Sequence, residues 1–164
     1  MNEVGREEVV IMRGGRGVAK LVCVGGEKKA KKKFEAMMSD GLGRTRLHLA
    51  CERCDADEIV SLVKSSTSEI ESVDSLERTP LMISCIKGHS KAVEALISSG
   101  ASLTHATATR ARTAMHFAAK GGNLRVVEIL ISNGADVDCA SCSSKTPLEI
   151  AVAKGFKEIA ALLL

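Results

Sequence analysis

Thr79-Pro80-Leu81-Met82-Ile83-Ser84 and Thr146-Pro147-Leu148-Glu149-Ile150-Ala151 decide the fold. A threonine hydroxyl accepts from the first free N–H groups of a helix. Proline just inside that start loses no hydrogen bond, because its missing N–H had no partner there. Two apolar residues spaced by two, then a small one, make a narrow stripe on the helix that follows. Thr45-Arg46-Leu47-His48-Leu49-Ala50 and Thr113-Ala114-Met115-His116-Phe117-Ala118 repeat the pattern, and the four threonines are spaced by 34, 34 and 33 residues.

Each hexad is followed by the same sequence of signals. A glycine turn comes first, at Lys87-Gly88-His89, Lys120-Gly121-Gly122-Asn123 and Lys154-Gly155-Phe156. Glycine takes the left-handed conformation that ends a helix. A second apolar helix comes next, at Ile59-Val60-Ser61-Leu62-Val63, Val93-Glu94-Ala95-Leu96-Ile97, Val126-Val127-Glu128-Ile129-Leu130-Ile131 and Ile159-Ala160-Ala161-Leu162-Leu163-Leu164. Ser99-Gly100-Ala101 and Asn133-Gly134-Ala135-Asp136-Val137-Asp138 close two of the units. A period of about 33 built on this hexad resembles the ankyrin repeat. The resemblance implies an all-α solenoid of stacked helix-turn-helix units joined by short β-turn or finger connections. It covers residues 40–164, as repeats at about 40–73, 74–107, 108–140 and 141–164. No unit buries its apolar face alone, so neighbours must stack to form the core.

The first repeat departs from the pattern. Arg46 replaces proline, Thr67 stands where the closing glycine is expected, and one extra residue is expected around positions 54–57. The array ends on Leu162-Leu163-Leu164, an apolar end for a surface that should meet water. Two accounts stay open: a longer chain, or a partner covering this end.

The chain has 164 residues, 45% hydrophobic, with three Phe and no Trp or Tyr. The core must come from Leu, Ile, Val, Ala and Cys, and aromatic platforms for stacking bases are lacking. The apolar runs fall far short of the roughly 20 residues that cross a bilayer. The N-terminus does not read as a signal peptide, so a reducing cytoplasmic or nuclear location and free thiols are expected. The net charge of +3 is uneven: residues 1–39 carry +4 and residues 40–164 carry −1. Residues 1–39 read as a basic extension. Positions 1–26 suit a short strand or disorder equally. Residues 27–39, with Phe34, Met37 and Met38 at helical spacing, suit either a short helix capping the first repeat or a solvated lead. Lys28, Lys29, Lys31, Lys32 and Lys33 resemble a nuclear-import signal, a pattern of low specificity.

Cys51-x-x-Cys54 and Cys139-x-x-Cys142 have the spacing of two zinc half-sites. Repeat register separates them. Cys51 aligns with Cys85, Ala119 and Val152 on the packed side of a helix, and Cys139 and Cys142 fall in a connection. His48 and His116 share one repeat position, where the resemblance implies a structural role. No metal, cofactor or catalytic set is expected.

A basic residue precedes every capping threonine: Arg44, Arg78, Arg112 and Lys145. Arg53, Lys87, Lys120 and Lys154 lie near the ends of the first helices. By the resemblance these positions border the concave face. Ser75, Leu76, Arg78, Ile86 and Lys87 of the second repeat, with Thr109, Arg110, Arg112 and Lys120 of the third, are the expected partner contacts. The leading reading is a non-catalytic scaffold or adaptor whose partner is a protein with an acidic segment. Two alternatives remain: a nuclear, nucleic-acid-associated protein using the basic lead, and a regulatory module of an enzyme complex. No membrane contact is expected, and the sequence leaves the oligomeric state open.

Overall fold

The computed structural model describes residues 9–14, 18–23, 41–65 and 69–164. Strands β1 (Val9–Gly14) and β2 (Val18–Cys23) form an antiparallel hairpin with Val9 opposite Cys23. Of the two readings of residues 1–26, the described part of this stretch is therefore strand. Eight helices follow among the described residues. They are α1 (Arg46–Arg53), α2 (Ala56–Ser65), α3 (Pro80–Lys87), α4 (Ser90–Ser98), α5 (Ala114–Gly121), α6 (Leu124–Ser132), α7 (Pro147–Lys154) and α8 (Lys157–Leu162). The expected helix at 27–39 and the departure at Thr67 lie outside the described residues.

Thr45, Thr79 and Thr146 cap α1, α3 and α7, each accepting from the backbone N–H three residues on. Thr113 holds the same position on α5. Gly88, Gly122 and Gly155 end α3, α5 and α7 in the left-handed conformation, with φ of 77°, 78° and 78°. In the first repeat Cys54 takes that conformation, at φ 62°. The extra residue expected around positions 54–57 is not there. The second helix of every repeat begins eleven residues after its threonine. α2 has 10 residues where α4 and α6 have 9, yet the first and second units are equal in length, 34 residues from threonine to threonine.

α1, α3, α5 and α7 stack as one layer, and α2, α4, α6 and α8 as a second, each helix also packing on its partner within the repeat. Leu47, Leu81 and Met115 fill the first layer, while Ile59, Val93, Leu96, Val126, Leu130 and Ile159 fill the space between layers. Burying each such side chain fully contributes about 1.5–3 kcal/mol. Ala50, Ser84, Ala118 and Ala151 are buried where consecutive first-layer helices meet. The contact there is tight. A Cβ on Gly121 would lie 2.7 Å from the carbonyl oxygen of Ile86.

The packed face changes character at the last described repeat. Cys51, Cys85 and Ala119 are 0% exposed, because the next repeat covers each of them. Val152, at the same position of the last repeat, is 62% exposed. Leu163 is buried, whereas Leu164 is 95% exposed.

Two histidines tie neighbouring repeats together. The backbone N–H of Thr45 donates to Nδ1 of His48 at 3.1 Å, so the ring proton sits on Nε2. That Nε2 donates to the carbonyl of Arg78 in the next repeat at 2.9 Å. His116 repeats the arrangement with Thr113 and Lys145, at 3.2 and 3.1 Å. Burial holds the pKa of both rings below the ordinary value of 6.5. The folded chain thus prefers neutral rings, and the unfolded chain takes up their protons first. Their contribution to stability is complete above pH 6.5 and is lost as pH falls from there through the lower folded values. Denaturation midpoints should therefore drop between pH 7 and 5. His48→Ala should cost about 2–4 kcal/mol at pH 7 and flatten that slope; an unchanged slope would remove His48 from the account.

Candidate functional site

Between repeats the chain makes short fingers, and each is closed the same way. Asp74 donates its backbone N–H to the carbonyl of Arg78 at 3.1 Å, Thr107 to Arg112 at 3.0 Å and Ser141 to Lys145 at 3.0 Å. The side chains return the bond. Asp74 Oδ1 accepts from Arg78 N–H at 2.9 Å, Thr107 Oγ1 from Arg112 N–H at 3.1 Å and Ser141 Oγ from Lys145 N–H at 3.2 Å. The residue before each basic one has positive φ: Gly43, Glu77, Ala111 and Ser144. The backbone of the basic residue thus closes its finger, and its side chain is left to vary in role.

The fingers also bond sideways. Ser75 N–H donates to the Leu42 carbonyl at 2.9 Å, and Cys142 N–H to the Arg110 carbonyl at 3.0 Å. The Glu77 carboxylate accepts from Thr109 N–H at 2.8 Å and from Thr109 Oγ1 at 2.9 Å. These bonds hold the Glu77 carboxyl below its usual pKa.

The four basic residues before the threonines are not equivalent. Arg78 is locked on its own finger: Nε and one terminal nitrogen reach Asp74 Oδ2 at 2.9 and 2.6 Å. Arg44 is paired with Glu52, which also meets Lys87 at 3.2 Å. The Lys87 bond is the main reason the Glu52 carboxyl titrates below its usual range. Arg53 pairs with Glu58 at 2.7 Å. Among the described residues, Arg110, Arg112, Lys120, Lys145 and Lys154 form no salt bridge. Arg112 Nε is buried and has no acceptor among them.

An open groove of about 510 Å³ lies between the second and third repeats. Ser75, Leu76, Arg78 and Ile86 line it from one side, and Thr109, Arg110, Arg112 and Lys120 from the other. Lys87, Arg44, Arg53, Lys145 and Lys154 lie outside its lining. Glu77, Thr107 and Phe117 complete it, and sequence reading had not named them. Phe117 carried a signal, being the only aromatic at its place in the four hexads. Glu77 carried none, since its role follows from a bond to a residue 32 positions away.

Among the described residues, the buried cysteines and histidines do not form a reactive set. Cys51 and Cys85 are fully buried, and burial pushes the Cys51 thiol up to about 12 and the Cys85 thiol upward as well. Cys139 Sγ lies 3.2 Å from Thr113 Oγ1 and 3.6 Å from His116 Nδ1, and burial raises its pKa too. An activated nucleophile needs the opposite shift. Among the described residues no three His, Cys, Asp or Glu side chains converge on a metal position, and no helix is long and apolar enough to cross a membrane. Lys28, Lys29, Lys31, Lys32 and Lys33 lie outside the described residues.

Stacked helix pairs with fingers on one side define a helical-repeat solenoid. A family model described as Ankyrin repeats (3 copies) matches residues 10–107 and 103–164, and the chain belongs to the ankyrin-repeat family. Repeats of this family are generally protein–protein interaction modules and are typically non-catalytic. No curated protein matches the chain.

Asp74 is nearly buried and receives four bonds, from Leu76 N–H, Arg78 N–H and the Arg78 guanidinium. Removing one member of such a pair costs roughly 2–4 kcal/mol. Urea denaturation of Asp74→Ala should show that loss, and a loss under about 0.5 kcal/mol would mean the finger is held by other contacts.

Proposed function

We propose that the chain is a scaffold or adaptor module that binds a partner protein along the face formed by its fingers and first-layer helices. The contact centres on the groove between the second and third repeats, and the partner brings an acidic segment. The observation that carries this reading is the charge balance in the groove. Arg78 is neutralised by Asp74, but Arg110, Arg112 and Lys120 face the groove without an ionic partner among the described residues. Exposed cations converging on one groove favour an anionic partner, both in encounter rate and in register. Central repeats also suit strong contacts, since binding energy concentrates away from rims.

Arg110 and Lys120 are exposed and make no structural bond through their side chains, so reversing them leaves the fold intact. Reversing Arg78 would confound binding with finger stability. Affinity capture from cell extract should compare the wild type, the double variant R110E/K120E and the control K154E. A set of proteins retained by the wild type and K154E, weakened by salt and lost from the double variant is the expected result. Identical captures by all three would contradict a groove-centred function.

A further inference from the structure

The groove holds more than charge. Leu76 projects from the second finger at 63% exposure, beside half-buried Ile86 and the largely buried Phe117. A single exposed leucine is ordinary. One that shares a groove with two further apolar side chains offers a place where a partner's side chain leaves water. On the facing wall stand Arg110, Arg112 and Lys120. Arg112 Nε is a buried donor with no acceptor among the described residues, and leaving such a donor unmet is costly. We infer that this groove reads a two-part signal in a short partner segment: an Asp or Glu side chain on the cationic wall and, close beside it, a branched or aromatic apolar side chain against Leu76, Ile86 and Phe117. The inference rests on the proposed function and adds the chemistry of the partner's motif.

Its size fits. About 510 Å³ falls in the range of clefts that take small ligands, so the groove admits a few side chains of a partner segment. The cationic wall calls for an anion, which an unmodified peptide supplies as a carboxylate, and the groove also holds a fixed anion. Thr109 pins the Glu77 carboxylate on the groove wall through two bonds. That negative charge offsets part of the wall's attraction for an anion but not all of it, since Arg110, Arg112 and Lys120 stand against the one Glu77. Nucleic acid is disfavoured because Phe117, the one ring in the groove, is only 8% exposed and offers no face for base stacking.

The finger that carries this wall differs from its neighbours in ways that make it suited to a ligand. The second repeat has Met82 where the first and third have a histidine. No ring therefore ties the Arg112 carbonyl back to α3, as His48 ties Arg78 and His116 ties Lys145. The finger spans Thr107 to Arg112, one residue longer than Asp74 to Arg78 or Ser141 to Lys145. Between the second and third fingers the sideways bond is made by the Glu77 carboxylate to Thr109.

A random decapeptide library displayed on phage and selected against the full-length chain tests this. The enriched peptides should carry an acidic residue within about three positions of Leu, Ile, Val, Met, Phe or Trp. Fluorescence anisotropy with the best peptide should show binding weakened about 10-fold by Lys120→Glu and about 10-fold by Leu76→Ser. Replacing the peptide's acid by Asn should cost as much as K120E and should abolish the further effect of K120E, as coupled partners require. Glu77→Gln keeps an acceptor for Thr109 and removes the fixed charge. It should tighten acidic peptides.

Enriched peptides that are acidic but indifferent to L76S would overturn the two-part motif and leave the cationic groove standing. No enrichment, or peptides indifferent to both K120E and L76S, would count against the motif and the groove-centred function together. A phosphoserine peptide or a single-stranded decanucleotide that binds the wild type more tightly than the selected peptide would overturn the assignment of a carboxylate.

Discussion

The close approach of α1, α3, α5 and α7 is the constraint on which the rest of the molecule depends. It requires a small side chain at one place in each helix, which Ala50, Ser84, Ala118 and Ala151 supply. Ser84 is the only polar one, and it remains acceptable because its hydroxyl donates to the Pro80 carbonyl within its own helix at 3.1 Å. Backbones brought this near leave no room elsewhere, which is why Gly121 lies against the Ile86 carbonyl. Apolar residues too small to make a core within one repeat then make a continuous one across four.

The separation of the fingers follows from that spacing. Each finger is anchored at its base by the cap of the next helix, so fingers lie as far apart as the helices beneath them. Where a histidine sits three residues into the helix, its ring reaches the base of the next finger and fixes it. Where Met82 replaces the histidine and the finger is one residue longer, a groove lies between the fingers. Structure and function divide the basic residues along this line. Arg44 and Arg78 are held by carboxylates of the array, whereas Arg110, Arg112 and Lys120 face outward into the groove.

Sequence alone made the repeat legible because its signals are local and recur. A capping threonine, proline at the first helical turn and glycine in the left-handed turn each act within a few residues. The groove was half legible. Counting back from the threonines located Arg78 and Arg112, and the family position of the neighbouring residues located Leu76, Ile86, Thr109 and Arg110. Counting does not reveal which cations are already neutralised. Asp74 is four residues before Arg78, an ordinary spacing in sequence, and only the fold makes it a bidentate partner. The misplaced extra residue in the first repeat has a similar origin. Without a glycine the turn looked altered, yet Cys54 adopts glycine's backbone conformation and keeps the turn length.

The central claim, that the spacing of the first-layer helices sets both stability and groove, is tested most directly at Ala118. Its methyl is fully buried between neighbouring helices. Urea denaturation of Ala118→Leu, combined with native-state amide exchange, measures the effect on each repeat. The account predicts a loss of about 1–3 kcal/mol, with weakened protection in α3, α5 and the finger at Thr107 and Arg112. A leucine accommodated with unchanged stability and unchanged exchange would contradict it.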